Sequence, residues 1–241
     1  MERIAIVTGV SRGLGEALAL DLLARGWRVA GVGRHDSPRT AQARYRFVAF
    51  DLAKAQDVDA QLLPVFRELA ALQPTAAVLV NNAAAAGPVG VFGRLTSTEV
   101  ADALAVNLAA PAALANLFCR AFTSEACDRR IINVSSGAAE RTLAGGGMYC
   151  VAKAGLEMLT RSLVAEHPAL RAVTLRPGII DTEMQAFMRS QPRELVPSVG
   201  LFEGFHASGQ LVPPATVAKK TIDRLIDEDA EPGRTYSYAQ L

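Results

Sequence analysis

The sequence predicts a doubly wound α/β fold: a mostly parallel sheet of seven strands with helices on both faces. Three observations lead there. Short β-branched runs alternate with segments of helical spacing from end to end. A glycine-rich turn links the first run to the first helix. The 241 residues also contain no repeat, low-complexity tract or linker, so residues 1–241 read as one domain.

Strands are expected at 4–7, 28–33, 46–50, 77–80, 130–134 and 172–175, with a short last one at 235–238. Between the first two, Leu14, Leu18 and Leu22 recur at helical spacing. Gly26 then suits the C′ position, because a left-handed backbone costs glycine little. Pro64 stands inside the helical segment 57–72 and removes a donor, which predicts a kink or a split there. Thr96-x-x-Glu99 has capping-box spacing and opens a long apolar helix reaching residue 122. Residues 184–213 carry Gly and Pro without a clear period and read as a mobile helical flap with a loop.

Composition excludes several classes. Half of the residues are hydrophobic, enough for a core that needs no staples. A net charge of +1 gives no reason to expect nucleic acid or a membrane surface as partner. Cys119, Cys127 and Cys150 are few, odd in number and free of C-x-x-C spacing, as suits a reducing cytosol. The apolar run 100–119 is broken by Asp102, Asn107, Pro111 and Asn116, so it reads as a buried helix, and the chain as cytoplasmic. His35, His167 and His206 stand apart from other ligand types, so no metal site is expected.

Two segments carry chemistry. In Thr8-Gly9-Val10-Ser11-Arg12-Gly13-Leu14-Gly15, the glycines let backbone approach a diphosphate, and the helix start offers free N–H donors at its positive end. A plain strand-to-helix turn would also need glycine. Tyr149-x-x-x-Lys153 puts a phenol and an ammonium on one helix face. A free phenol has a pKa of about 10, and a nearby ammonium favours its ionised form. Such a tuned tyrosine can give a proton to a carbonyl oxygen.

Taken together with Asn81-Asn82-Ala83, Asn107, Ser136 and Pro177-Gly178-Ile179-Ile180-Asp181-Thr182, these motifs resemble the short-chain dehydrogenase/reductase family over nearly the whole chain. The resemblance implies a Rossmann fold and a nicotinamide cofactor. It implies Tyr149 as acid, Lys153 as its modulator and ribose anchor, and Ser136 as the clamp on the substrate oxygen. Ser135 is the alternative clamp. Asn107 would hold a water beside Lys153, or else be a satisfied core amide. Gly9, Ser11, Arg12, Gly13, Leu14 and Gly15 would line the diphosphate. Asn82, Ala83 and Ala84 would flank the riboses. Pro177, Gly178, Ile180 and Thr182 would fix the nicotinamide end. Asp51, with Leu52, would meet the adenine, or Asp51 would cap the next helix. At the end of the second strand the family's NAD-type acid is replaced by Gly33-Arg34, and Arg12 lies in the glycine loop. Two guanidiniums suit a 2′-phosphate, so NADP(H) is expected. Asp36, the rival signal, lies past the strand end and is expected to be peripheral.

Within the family, Tyr149-Cys150, Asp181–Arg189, Gly209-Gln210-Leu211 and Gly233-Arg234-Thr235-Tyr236 resemble the sepiapterin and benzil reductases. Sepiapterin reductases hold the pterin with an Asp near the C-terminus, where this chain has Ser237. A small ketone or α-dicarbonyl is therefore the expected substrate, with a pterin, or a catalytically silent NADP-binding regulator, as alternatives. Phe187, Met188, Leu201, Phe202 and Phe205 of the flap would present apolar walls to it, or would pack the flap onto the body. The Ala- and Leu-rich helices at 96–122 and around Tyr149 resemble the family's dimer faces and imply a homodimer or a tetramer.

Overall fold

The computed structural model describes residues 1–40 and 42–241. Seven strands form one sheet: β1 (Arg3–Thr8), β2 (Arg28–Gly33), β3 (Tyr45–Ala49), β4 (Ala76–Asn81), β5 (Asp128–Val134), β6 (Arg171–Arg176) and β7 (Thr235–Ser237). Their order is β3-β2-β1-β4-β5-β6-β7, and every pairing is parallel. All strands therefore end on one edge. The order reverses between β1 and β4, which is where a crevice opens in such a sheet. The expected doubly wound Rossmann fold is present.

Helices cover both faces. They are α1 (Gly13–Ala24), α2 (Val58–Ala71), α3 (Ser97–Leu104), α4 (Ala110–Ala121), α5 (Gly147–Glu166), α6 (Glu183–Arg189), α7 (Val199–Ala207) and α8 (Pro214–Ile222). Successive side chains of a strand face opposite layers. Thus Ala5 and Val7 of β1 join α1 and α8 in one core, through Leu14, Leu18, Val217 and Ile222. Ile4 and Ile6 join α2, α4 and α5 in the other, through Leu62, Phe66, Leu114, Phe118 and Leu163.

The local signals mostly hold. Helix α1 ends in a Schellman motif: the Trp27 N–H donates to Leu22 O, that of Gly26 to Leu23 O, and Gly26 has φ of 81°. Thr96 and Glu99 form both bonds of a capping box at the start of α3. Three expectations need correction. Helix α2 runs unbroken through Pro64, whose ring sits on the exposed face where water can serve the carbonyl it leaves unpaired. Asp51 caps no helix; its Oδ1 accepts from Ala53 N–H at 3.1 Å, within a turn that precedes α2. The long helix is interrupted at Ala105–Ala109 by a π turn joining α3 to α4. Its span, Ser97–Ala121, is long and apolar enough to cross a membrane, yet α4 packs Leu114, Leu117 and Phe118 into the core.

Half of residues 184–213 are helical, in α6 and α7, and a bridge from Ile180 to Val212 closes the segment. Several contacts tie it to the body. Ser198 Oγ donates to Ala144 O at 2.9 Å, Arg94 donates to Glu194 O, and Met188, Val196, Val199 and Phe202 pack with Ala86 and Val89.

Candidate active site

The loops after β1, β4, β5 and β6 all open on the strands' C-terminal edge, and most of the expected site residues lie on them. After β1 the chain turns through Gly9 (φ 72°) and Gly13 (φ 62°) into α1. Gly15 matters for close approach: a Cβ there would stand 2.1 Å from Gly9 O and 2.4 Å from Asn82 Nδ2. Asn82 explains that closeness, because its Nδ2 donates to Thr8 O at 2.9 Å. The Thr8 hydroxyl accepts from the N–H groups of Asn82 and Ala83 at 2.9 and 3.0 Å. Asn82 and Ala83 therefore lock the β4 end against the glycine loop, a supporting role. Arg12 occupies the N-cap of α1, and no side chain caps that helix. The free N–H donors of its first turn fit a diphosphate.

At the ends of β2 and β3 lies a cavity of about 280 Å³ lined by Arg34, Ala49, Phe50, Asp51, Lys54 and Gln61. Arg34 and Lys54 have no carboxylate partner among the described residues. Lys54 was not read from the sequence, although it stands three residues past Asp51. Arg12 is different: it pairs with Glu183 at the start of α6, so its guanidinium is engaged by the flap. Asp36 accepts from Tyr45 Oη of β3 at 2.6 Å and from Thr40 Oγ1 at 3.2 Å. Leu52 is buried in the core. A larger hollow of about 490 Å³ opens at the opposite edge, among Gln73, Thr75, Phe122, Ser124 and Cys127, and none of the expected site residues lines it.

The residues expected to be catalytic come together after β5 and on α5. Ser136 follows the strand and leads a short turn, its Oγ accepting from Ala138 N–H at 3.2 Å. Ser136 also stands near enough to the Tyr149 phenol to favour its ionised form. Ser135, the alternative clamp, faces the other way and donates to Glu157 Oε1 at 2.9 Å. Tyr149 and Lys153 share a face in the first turns of α5. Lys153 is 2 % exposed, and its Nζ donates to Val134 O at 2.7 Å and stands 5.5 Å from the centre of the Tyr149 ring.

Electrostatics here depart from the expectation that Lys153 pulls the phenol down. Burial pushes Tyr149 up to about 12, with the Ser136 hydrogen bond opposing and Cys150 adding slightly. Burial also pushes Lys153 down to about 8. At neutral pH the pair is thus a protonated phenol beside a mostly protonated ammonium. Asn107 departs too. Its Oδ1 accepts from Ala85 N–H at 3.0 Å, and its Nδ2 donates to Ala85 O and Ala103 O at 3.0 and 2.9 Å. The amide is occupied in pinning the loop after β4 to the π turn.

On the far side, Gly178 (φ 77°) follows Pro177 and turns under Tyr238, where a Cβ would come within 3.2 Å of the tyrosine. Ile180 is held by the bridge to Val212. The Thr182 methyl lies 3.3 Å from where Gly13 would carry a Cβ, so the flap begins directly over the glycine loop. Two of the expected substrate walls fail: Met188 and Phe202 pack the flap to the body, leaving Phe187 and Leu201 exposed. Phe92, which was not read from the sequence, is 68 % exposed and lies against Gly147, two residues before Tyr149.

Comparison with known proteins identifies the family. Residues 3–193 match the model of the short chain dehydrogenase family. The chain belongs to that family, whose members are oxidoreductases that use nicotinamide cofactors. It is similar to the benzil reductase ((S)-benzoin forming) of Bacillus subtilis (strain 168), 30 % identical over 240 residues and 98 % of each chain. Over 90 residues, 37 % of this chain and 34 % of the relative, it is 32 % identical to the sepiapterin reductase of Meriones unguiculatus. Among solved structures, the KRED1-Pglu enzyme superposes with a TM-score of 0.84 at 27 % identity, covering 97 % of this chain and all of that one.

Proposed function

We propose that this single-domain chain is an NADP(H)-dependent carbonyl reductase for a small ketone or α-dicarbonyl of the benzil kind, with Tyr149 as proton donor. The observation that carries the reading is the convergence of Ser136, Tyr149 and Lys153 on the same sheet edge as the uncapped start of α1. The full-length similarity to the Bacillus subtilis benzil reductase supports the substrate class.

When bound, the nicotinamide supplies the hydride. The backbone of Gly9, Ser11, Gly13, Leu14 and Gly15 takes the diphosphate. Asn82, Ala83 and Ala84 flank the riboses, Asp51 and Leu52 the adenine, and Pro177, Gly178, Ile180 and Thr182 the nicotinamide end. Ser136 holds the carbonyl oxygen, Tyr149 gives it a proton, and Lys153 anchors the ribose and carries charge beside the phenol. Asn107 serves this set by holding its loop. A phenol pushed up to about 12 carries its proton at neutral pH, as a proton donor must. Ser237 is held by Gln240, its Oγ donating to Oε1 at 3.0 Å, so it offers no ionic contact to a pterin.

Arg34 carries the preference for NADP(H), with Arg12 available only on leaving Glu183. Steady-state benzil reduction with each cofactor tests this. Wild-type kcat/KM should be at least about tenfold higher with NADPH, and Arg34→Asp should erase or invert the ratio. Loss of a charge-assisted contact of about 1.5–3 kcal/mol is worth that much. Faster turnover with NADH in the wild type would overturn the cofactor assignment. Absence of turnover across a ketone and diketone panel would instead favour the silent regulator.

A further inference from the structure

Behind the catalytic residues lies an ion pair that the proposed chemistry does not use. Glu157 sits one helical turn after Lys153, on the same face of α5, and its side chain is 13 % exposed. Arg176, the last residue of β6, grips it with two prongs, Nε to Oε1 at 2.8 Å and Nη2 to Oε2 at 2.7 Å. A third prong reaches Glu140, in the loop that follows Ser136, at 2.7 Å. Ser135 Oγ donates to Glu157 Oε1 at 2.9 Å and touches Lys153 O at 3.3 Å. Ser135 itself is joined to β6 through its N–H on Leu175 O at 2.7 Å.

The pair therefore links three segments. One is the end of β5, where Val134 holds the Lys153 ammonium and Ser136 faces the phenol. The second is α5, which carries Tyr149 and Lys153. The third is the end of β6, from which Pro177 and Gly178 lead to the flap. We propose that Glu157 and Arg176 are positioning residues that fix the register of α5 against β5 and β6, and so set the Tyr149 phenol against Ser136. A planar guanidinium suits the task, because a two-pronged contact fixes orientation as well as distance. Small displacements at a reacting centre cost large factors in rate, which is why a strut behind the site affects turnover. The proposal rests on the reading of Tyr149, Lys153 and Ser136 given above.

The test separates positioning from simple stability. Replacing a buried ion pair by apolar residues commonly leaves a protein as stable or more so. The double variant Glu157→Leu/Arg176→Met should then melt within a few degrees of the wild type. It should bind NADPH with a Kd within about threefold. Its kcat for benzil should nevertheless fall by roughly ten- to a hundredfold. A folded double variant with kcat within twofold of the wild type would overturn the proposal. If that variant does not fold, Arg176→Lys decides, since it keeps the charge and loses the two-pronged contact. A kcat lowered by about fivefold or more at unchanged cofactor KM supports the strut, and wild-type kcat overturns it. Tyr149→Phe, run alongside, keeps the readings apart: full turnover there removes the catalytic assignment underneath, whatever the strut variants do.

Discussion

Lys153 is an ammonium enclosed by protein with one close carbonyl partner, Val134 O, and that placement has a measurable cost. The unfolded chain keeps this proton up to the ordinary value of 10.5, while the folded chain releases it near 8. Between those values the unfolded state binds more protons, so stability rises with pH, by at most about 3 kcal/mol. Tyr149 acts oppositely and later: its phenol is pushed up to about 12, so stability falls as pH passes from 10 to 12. From pH 8 to 9.5 the Cys119 and Cys127 thiols, both pushed up by burial, act against Lys153, so its contribution is read as a difference. Urea unfolding across that window should show wild-type stability rising relative to that of Lys153→Met. Parallel curves for the two would contradict the burial of this charge. The identities of Ser136, Tyr149 and Lys153 were legible because their spacing along a strand end and a helix is local. The direction of the phenol's shift was not, because its burial comes from surrounding chain segments. Nor was the partner of Arg12, since Glu183 lies on the flap, 171 positions along, and only the fold joins them.

At the scale of elements, the glycine loop shows what close packing demands. Gly15 has no room for a methyl group against the Gly9 carbonyl and Asn82, whereas Gly26 has left-handed φ but nothing within 4 Å of its absent Cβ. Gly15→Ala should cost about 1–3 kcal/mol through overpacking and should weaken NADPH binding by about tenfold or more. Gly26→Ala should cost about 1–2 kcal/mol through backbone strain and leave NADPH binding alone. Thermal melts paired with cofactor titrations check both, and equal cofactor affinity in the two variants would contradict the loop's role. Helix ends were legible because caps are written in adjacent residues, as at Thr96 and Gly26. The π turn at Ala105–Ala109 was not, since no spacing rule marks an extra residue in a helix; only the pinning of Asn107 to Ala85 and Ala103 reveals why the helix bulges there. The helical content of residues 184–213 was legible. The roles of their side chains were not, because Met188 and Phe202 pack with Ala86 and Val89, about a hundred residues distant.

For the whole molecule, the alternation of strands and helices was enough to foresee a doubly wound sheet, and the all-parallel order follows from the crossovers that such alternation requires. What the chain leaves uncovered bears on assembly. Only 39 % of the apolar window in Ser97–Ala121 is buried, and α5 exposes Val151 and Met158, seven residues apart on one face. We propose that these two helices meet their counterparts across a twofold axis, giving a homodimer or a tetramer. Light scattering at micromolar concentration should return twice or four times the 25.5 kDa chain mass, and Met158→Glu should lower it; a monomer in the wild type would contradict the pairing. The proposed reaction turns on one proton. Tyr149→Phe keeps the ring and removes the transferable hydrogen, so the variant should fold and bind NADPH as the wild type does. Its single-turnover rate of NADPH oxidation with benzil should fall by a factor on the order of a hundred or more. Wild-type NADPH affinity with that loss of rate is the result predicted, and a near-normal rate would show that the acid is another residue.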